Sequence, residues 1–172
     1  MKKFISLILA FLTVLSLSAC SAKNSRGENT VSFYYLREAD SYIYGAPDGV
    51  VTGEVRDESS ASSGTGYLLS LYLMGPLDEN LRSPFPAGCE ITNIVRNGKE
   101  VTVVLNANFA TLKGIHLTLA CVCLARTCMS VTGAEIVQIH AETFDGKILP
   151  IETVSVNSLL LEETLVPTEN PS

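Results

Sequence analysis

Between residues 113 and 129 the chain places apolar side chains at helical spacing, and a helix of that kind has to be covered by something. Leu117, Cys121, Leu124 and Cys128 fall at i, i+4, i+7 and i+11 on one face, and Thr118, Val122, Ala125 and Met129 line the face beside it. So wide a stripe calls for a sheet or further helices against it. His116, Cys123, Thr127 and Ser130 mark the wetter side, which makes Cys123 the most accessible of the three helix cysteines. A second helix is expected over residues 67–74 (YLLSLYLM). Ser63 or Thr65 can cap its start, and Gly75-Pro76 stops it. It is apolar on most sides, so burial is expected all round.

The remaining segments read as strands and turns. Residues 31–36 (VSFYYL) are aromatic and β-branched, and 42–44 and 50–56 are two more short strand candidates. Gly45, Pro47, Asp48 and Gly49 supply the turn between them. Residues 77–88, with Pro84 and Pro86, form an extended connection. Residues 90–106 read as a hairpin turning at Asn97-Gly98. A strict two-residue turn puts Val101, Val103 and Leu105 on the side of Ile94, Thr92 and Glu90. A shift by one residue aligns Ile91 and Val95 with that valine face. The apolar pattern prefers the second register, which calls for a bulge or a longer turn. Residues 135–142 make a last strand closed by Asp145-Gly146, 147–161 a further strand or pairing arm, and 162–172 a frayed end. The order is strands, helix, hairpin, helix, strand. It predicts an α+β fold, an antiparallel or mixed sheet with two helices packed on one face.

The first twenty residues stand outside this plan. Lys2 and Lys3 precede an apolar run over 4–17 and then Leu17-Ser18-Ala19-Cys20, the pattern of an export leader ending in a bacterial lipobox. The run is short for a permanent membrane span. Cys20 is the expected lipidation site, and its acyl chains the expected anchor at the extracytoplasmic face of the cell membrane. An ordinary secretory leader cleaved near Ala19 is the plainer alternative. The chain then divides into a leader (1–19), a polar tether (20–29), one domain (30–149) and a partly disordered C-terminal extension (150–172). The formal net charge is −6, and loss of Lys2 and Lys3 with the leader takes it two units further negative. Such a protein is a poor partner for nucleic acid or anionic headgroups.

No pattern in the chain spells out turnover chemistry, so no enzyme activity, cofactor or metal site is expected. Cys89, Cys121, Cys123 and Cys128 show neither a C-x-x-C nor a zinc-finger spacing. Buried thiols are the favoured reading, with a Cys89 disulfide to one of the others as the alternative. His116 and Cys123 lie two helical turns, roughly 10 Å, apart and cannot share an ion from one helix. His140 alternates with Ile139 and is expected to face outward. Gly64-Thr65-Gly66 lacks the lysine of a phosphate loop and reads as a capping loop. Asp78-Glu79 and Glu162-Glu163 are neighbours that point apart, which suits solvation better than acid/base pairing. Tyr34, Tyr35, Tyr42 and Tyr44 are candidate partner-binding residues, since strand alternation turns some of them outward, although edge-strand packing is the commoner explanation for such tyrosines.

From residue 68 to 146 the chain resembles the GerMN domain of spore germination and sporulation lipoproteins. The carriers are Leu71-Tyr72-Leu73-Met74-Gly75-Pro76 and Leu81-Arg82-Ser83-Pro84-Phe85-Pro86-Ala87-Gly88. They continue with the Asn97-Gly98 hairpin through Val101-Thr102-Val103-Val104-Leu105-Asn106 and Phe109, then Ile136-Val137-Gln138-Ile139 and Asp145-Gly146. The resemblance implies a small exported α+β domain akin to ring-building motifs, one that contacts other envelope or sporulation proteins and has no catalytic residues. The cysteine-rich second helix and the extension depart from that pattern. Contact through the Tyr-rich strands and through Arg96 and Lys99 at the hairpin is the expected mode. Self-association into a homo-oligomer stays open. The alternative function is a lipoprotein that binds cell-wall glycan or a small solute, which would need a pocket of converging tyrosine and acidic groups.

Overall fold

A computed structural model of the chain describes residues 30–38, 49–57 and 64–160. The leader with Cys20, the tether, the strand candidate holding Tyr42 and Tyr44, and residues 161–172 lie outside the described residues. The elements run β1 (Val31–Arg37), β2 (Val51–Arg56), α1 (Thr65–Leu73), β3 (Leu81–Arg82), β4 (Ile91–Asn97) and β5 (Glu100–Leu105). A 3-10 turn (Phe109–Thr111), α2 (Gly114–Thr132), β6 (Ile136–Glu142), β7 (Ile148–Ser155) and α3 (Val156–Leu160) follow. The fold is α+β, as expected. The strands divide into two sheets, ordered β2-β1-β3 and β4-β5-β6-β7, where a single sheet was expected. β5 and β6 pair in parallel across the α2 crossover, and the other pairs are antiparallel. β7 runs across position 149–150, so the larger sheet continues into the segment read as an extension.

Alternation builds the core. Val101, Val103 and Leu105 of β5 and Val137, Ile139 and Ala141 of β6 are buried on one face. On the other face of β6, Gln138 and His140 are only half-buried, in keeping with the outward setting of His140. α1 and α2 pack beside each other and meet this sheet through β4 and through β6 and β7 respectively. The small sheet closes the other side. Val31, Phe33 and Tyr35 of β1 join Leu68, Leu69, Tyr72, Leu124 and Cys128 in one core cluster. The rings of Phe33 and Tyr35 stand 5.6 and 5.0 Å from that of Tyr72.

That second sheet overturns the expected polar side of α2. Cys123 and Thr127 are fully buried, because β1 lies against the flank that holds them. His116 and Ser130 do remain exposed. Cys89, Cys121, Cys123 and Cys128 are all buried and unbridged. α2 is long and apolar enough to cross a membrane by length and composition. Here nine of its nineteen residues are buried between the sheets. It ends at Gly133, whose φ of +68° lets its N–H return to the Met129 carbonyl.

Two further expectations change. The N-cap of α1 is Gly64, with no side-chain cap hydrogen bond, and Thr65 is already the first helical residue; Ser63 lies outside the described residues. It buries only Leu68, Leu69 and Tyr72, while Tyr67 and Met74 are exposed, so its apolar surface exceeds what the core covers. The hairpin turns at Gly98-Lys99, with Asn97 facing Glu100, Arg96 facing Val101 and Ile94 facing Val103. Gly98 takes a φ of +60°, which a side chain would resist. The expected bulge exists, but it sits at Thr92, between Ile91 and Asn93. It flips the alternation, so Ile91 joins the inner face opposite Leu105. Val95 does not join it; it faces outward opposite Thr102 and is 52% exposed.

Candidate interaction groove and the Tyr34 cleft

A concavity lies between α1 and the edge strand β4. It is a groove of about 590 Å³ with Leu73, Met74, Ile91 and Ile94 on its walls and Glu90 at its rim. Gly66 and Ser70 are the small residues of α1 that keep it open. Cys89 contributes to its lining, and burial pushes that thiol up to about 12. A second cavity of about 370 Å³ shares Gly66 and Ile94 with the groove and adds Arg96. The hollow therefore continues along β4 from Glu90 toward Arg96. Met74 and Leu77 are 82% and 81% exposed, an apolar surface that continues from the C-terminal end of α1.

The end of α1 is held by a charged knot. Glu54 and Arg56 pair at 2.6 Å, and both side chains are largely shielded. Glu54 Oε1 accepts the N–H groups of Leu77 and Asp78 at 2.7 and 2.8 Å. Arg56 donates to the Gly75 carbonyl at 2.8 Å and lies over the Phe33 ring. Both residues come from β2, so the small sheet positions one wall of the groove.

The structure separates the candidate contact residues. Tyr35 is a core residue: its ring is fully buried and its hydroxyl donates to the carbonyls of Tyr72 and Gly75. Burial raises its phenol well above the ordinary value. It cannot contact a partner, because alternation turns odd-numbered β1 residues toward α1. Tyr34 is half-buried on the opposite face. Its ring covers Gly53, where an added Cβ would sit 3.3 Å from the ring, and the Arg126 guanidinium lies 5.5 Å from the ring centroid. Tyr42 and Tyr44 are outside the described residues, as is Cys20. Arg96 and Lys99 are exposed at the hairpin end. Arg96 donates Nε to the Gly98 carbonyl at 3.3 Å, and Lys99 pairs with Glu135 at 3.0 Å. Of the described candidates, Arg96 alone lines the hollow along β4.

Sequence reasoning missed the groove walls and Arg126. Arg126 did leave a signal: it is the one charged side chain in the nineteen residues of α2. The groove left none, because Leu73, Ile91 and Ile94 look like core residues until the spacing of α1 and β4 is known. Among the described residues, no group of three or more His, Cys, Asp or Glu side chains is placed to hold a metal ion. Comparison with family models, with curated proteins and with solved structures returned no match to this chain.

Proposed function

We propose that this chain is a lipid-anchored, extracytoplasmic protein-interaction module of the GerMN-like kind, working in a sporulation, germination or cell-envelope assembly without turnover chemistry. The observation that carries the reading is the apolar groove between α1 and β4, bordered by Met74 and continued by the cavity at Arg96. Exposed apolar surface beside a groove is what protein recognition uses. The helix–hairpin–helix–strand order over residues 65–142 supports the GerMN likeness. The leader pattern ending at Cys20 supports the anchor.

A ligand-binding lipoprotein would be supported by tyrosine and acidic groups converging on one cavity. Among the described cavities only the cleft at Tyr34 contains a tyrosine, and it holds an arginine and no carboxylate.

The test uses full-length protein carrying a photo-crosslinker beside the groove, expressed in its membrane. Met74→Glu and Arg96→Glu should each lose the protein crosslinks of the wild type. Both sites are exposed, so stability should stay within about 0.5 kcal/mol. Labelled fatty acid should enter the wild type and not Cys20→Ala. Stoichiometric binding of a glycan fragment or solute in calorimetry, with no protein crosslinked, would overturn the reading.

A further inference from the structure

A second cleft, of about 350 Å³, opens where the edge of β1 meets α2. Thr30, Ser32, Tyr34, Arg126, Met129 and Ser130 line it. Its chemistry differs from that of the groove, for it carries a cation and hydroxyls but no acidic side chain.

Arg126 is half-buried and has no carboxylate within ion-pair distance among the described residues. Three other described cations, Arg56, Lys99 and Lys147, do have one. Arg82, Arg96 and Lys113 have no described ion pair either but are exposed, whereas the half-buried Arg126 carries a desolvation cost that a bound anion would offset. Its guanidinium lies 5.5 Å from the Tyr34 ring centroid, and no hydrogen bond from its N–H groups is described, which leaves those donors for another partner. The residue that carries the ring is itself held in place. Gly53 lies beneath it, the Tyr34 N–H is bound by Thr127, and the Tyr34 carbonyl by the Tyr72 hydroxyl. Arg126 therefore rests on a fixed platform, which lowers the entropy lost when it binds. Ser130 Oγ accepts the Ser32 N–H at 2.9 Å and makes no other described hydrogen bond, so its own proton is free to donate.

We propose that this cleft is a carboxylate-binding site, with Arg126 as its charged donor and the Ser130 hydroxyl beside it. An arginine fork matches a carboxylate in plane, through two parallel hydrogen bonds. One cation balances one negative charge. A phosphate dianion would leave charge uncompensated within an acidic protein. The carboxylate belongs either to a small solute or to the C-terminus of a peptide; both present the same group to Arg126.

The experiment measures protection of Arg126 from an arginine-specific dicarbonyl reagent, read by mass spectrometry on the full chain in detergent. The competitors are acetate, inorganic phosphate, chloride at equal ionic strength, and trialanine with a free or an amidated C-terminus. Protection by acetate or by free trialanine is expected to saturate, with none from chloride or the amide. Free trialanine protecting about tenfold better than acetate assigns a peptide terminus; acetate protecting alone assigns a small solute. A wild-type amide spectrum should show saturable shifts at Ser32, Tyr34 and Ser130. These should weaken about tenfold or more in Arg126→Gln, since charge-assisted hydrogen bonds are lost. Labelling of wild-type Arg126 that no carboxylate slows, or that phosphate or the amide slows equally, would sink the proposal. The labelling arm needs no substitution, so a poorly folding variant cannot obscure it.

Discussion

The backbone N–H of Tyr34 donates to Thr127 Oγ1 at 2.9 Å, so a helix hydroxyl serves as the hydrogen-bond partner of a strand edge. Ser130 Oγ does the same for the N–H of Ser32. β1 pairs with β2 along one edge, whereas its other edge meets β3 only at Leu36 and Arg37. The rest of that edge would leave its N–H groups without partners against an apolar helix. Thr127 and Ser130 remove that cost, and by doing so they fix where α2 crosses β1.

Replacing the hydroxyl should be felt. Thr127→Val keeps the shape but orphans the Tyr34 N–H, and should destabilise the domain by about 1–3 kcal/mol. Thr127→Ser should recover most of that loss. Denaturant midpoints and the hydrogen exchange of the Tyr34 amide report the effect. Equal stability of wild type and Thr127→Val would show that the contact does not hold the edge.

The cysteines give a pH signature. Burial pushes the thiols of Cys89, Cys121, Cys123 and Cys128 up from 9.0 to about 12. The unfolded chain releases these protons near 9, while the fold keeps them bound until about 12. The contribution to stability is therefore complete below pH 9 and is lost as pH rises toward 12. Denaturation midpoints across that window should fall more steeply for the wild type than for Cys128→Ala. Alkylation of the folded protein should be slow at all four thiols, and Cys123 should react no faster than Cys121. Rapid labelling of Cys123 would mean that β1 does not cover that flank of α2.

The Glu54 carboxylate ties β2 to the segment after α1, so its loss should exceed that of an exposed ion pair. Glu54→Ala removes the Arg56 pair and the acceptor for the Leu77 and Asp78 N–H groups. The expected loss is about 1.5–3 kcal/mol, against no more than about 1 for Lys99→Ala, whose Glu135 pair is exposed. Urea midpoints of the two variants decide it. Comparable losses would place the strength of the knot elsewhere.

Much of the fold was legible in local patterns. The stripe from Leu117 to Cys128 did mark α2, Gly75-Pro76 did stop α1, and the alternation of Val101, Val103 and Leu105 did identify the inner face of β5. These signals are periodic, and periodicity reports which face is buried when one surface covers it. It fails where a second surface arrives. Cys123 and Thr127 read as polar-side residues because nothing nearby in the chain announces that β1, some ninety residues away, lies over them. Tyr35 and Tyr34 illustrate the same limit, since a strand's alternation shows that two neighbours part but not which of them goes inward.

The sequence by itself determined the α+β class, α1 and α2, the β4–β5 hairpin and β6, because each depends on residues close together in the chain. Tertiary structure alone decided the split into two sheets, the groove beside Arg96 and the seating of Arg126 on Tyr34. Those depend on the distance and angle at which β1, α1, α2 and β4 meet. Such quantities are set by side-chain packing and by edge hydrogen bonds between segments far apart in sequence.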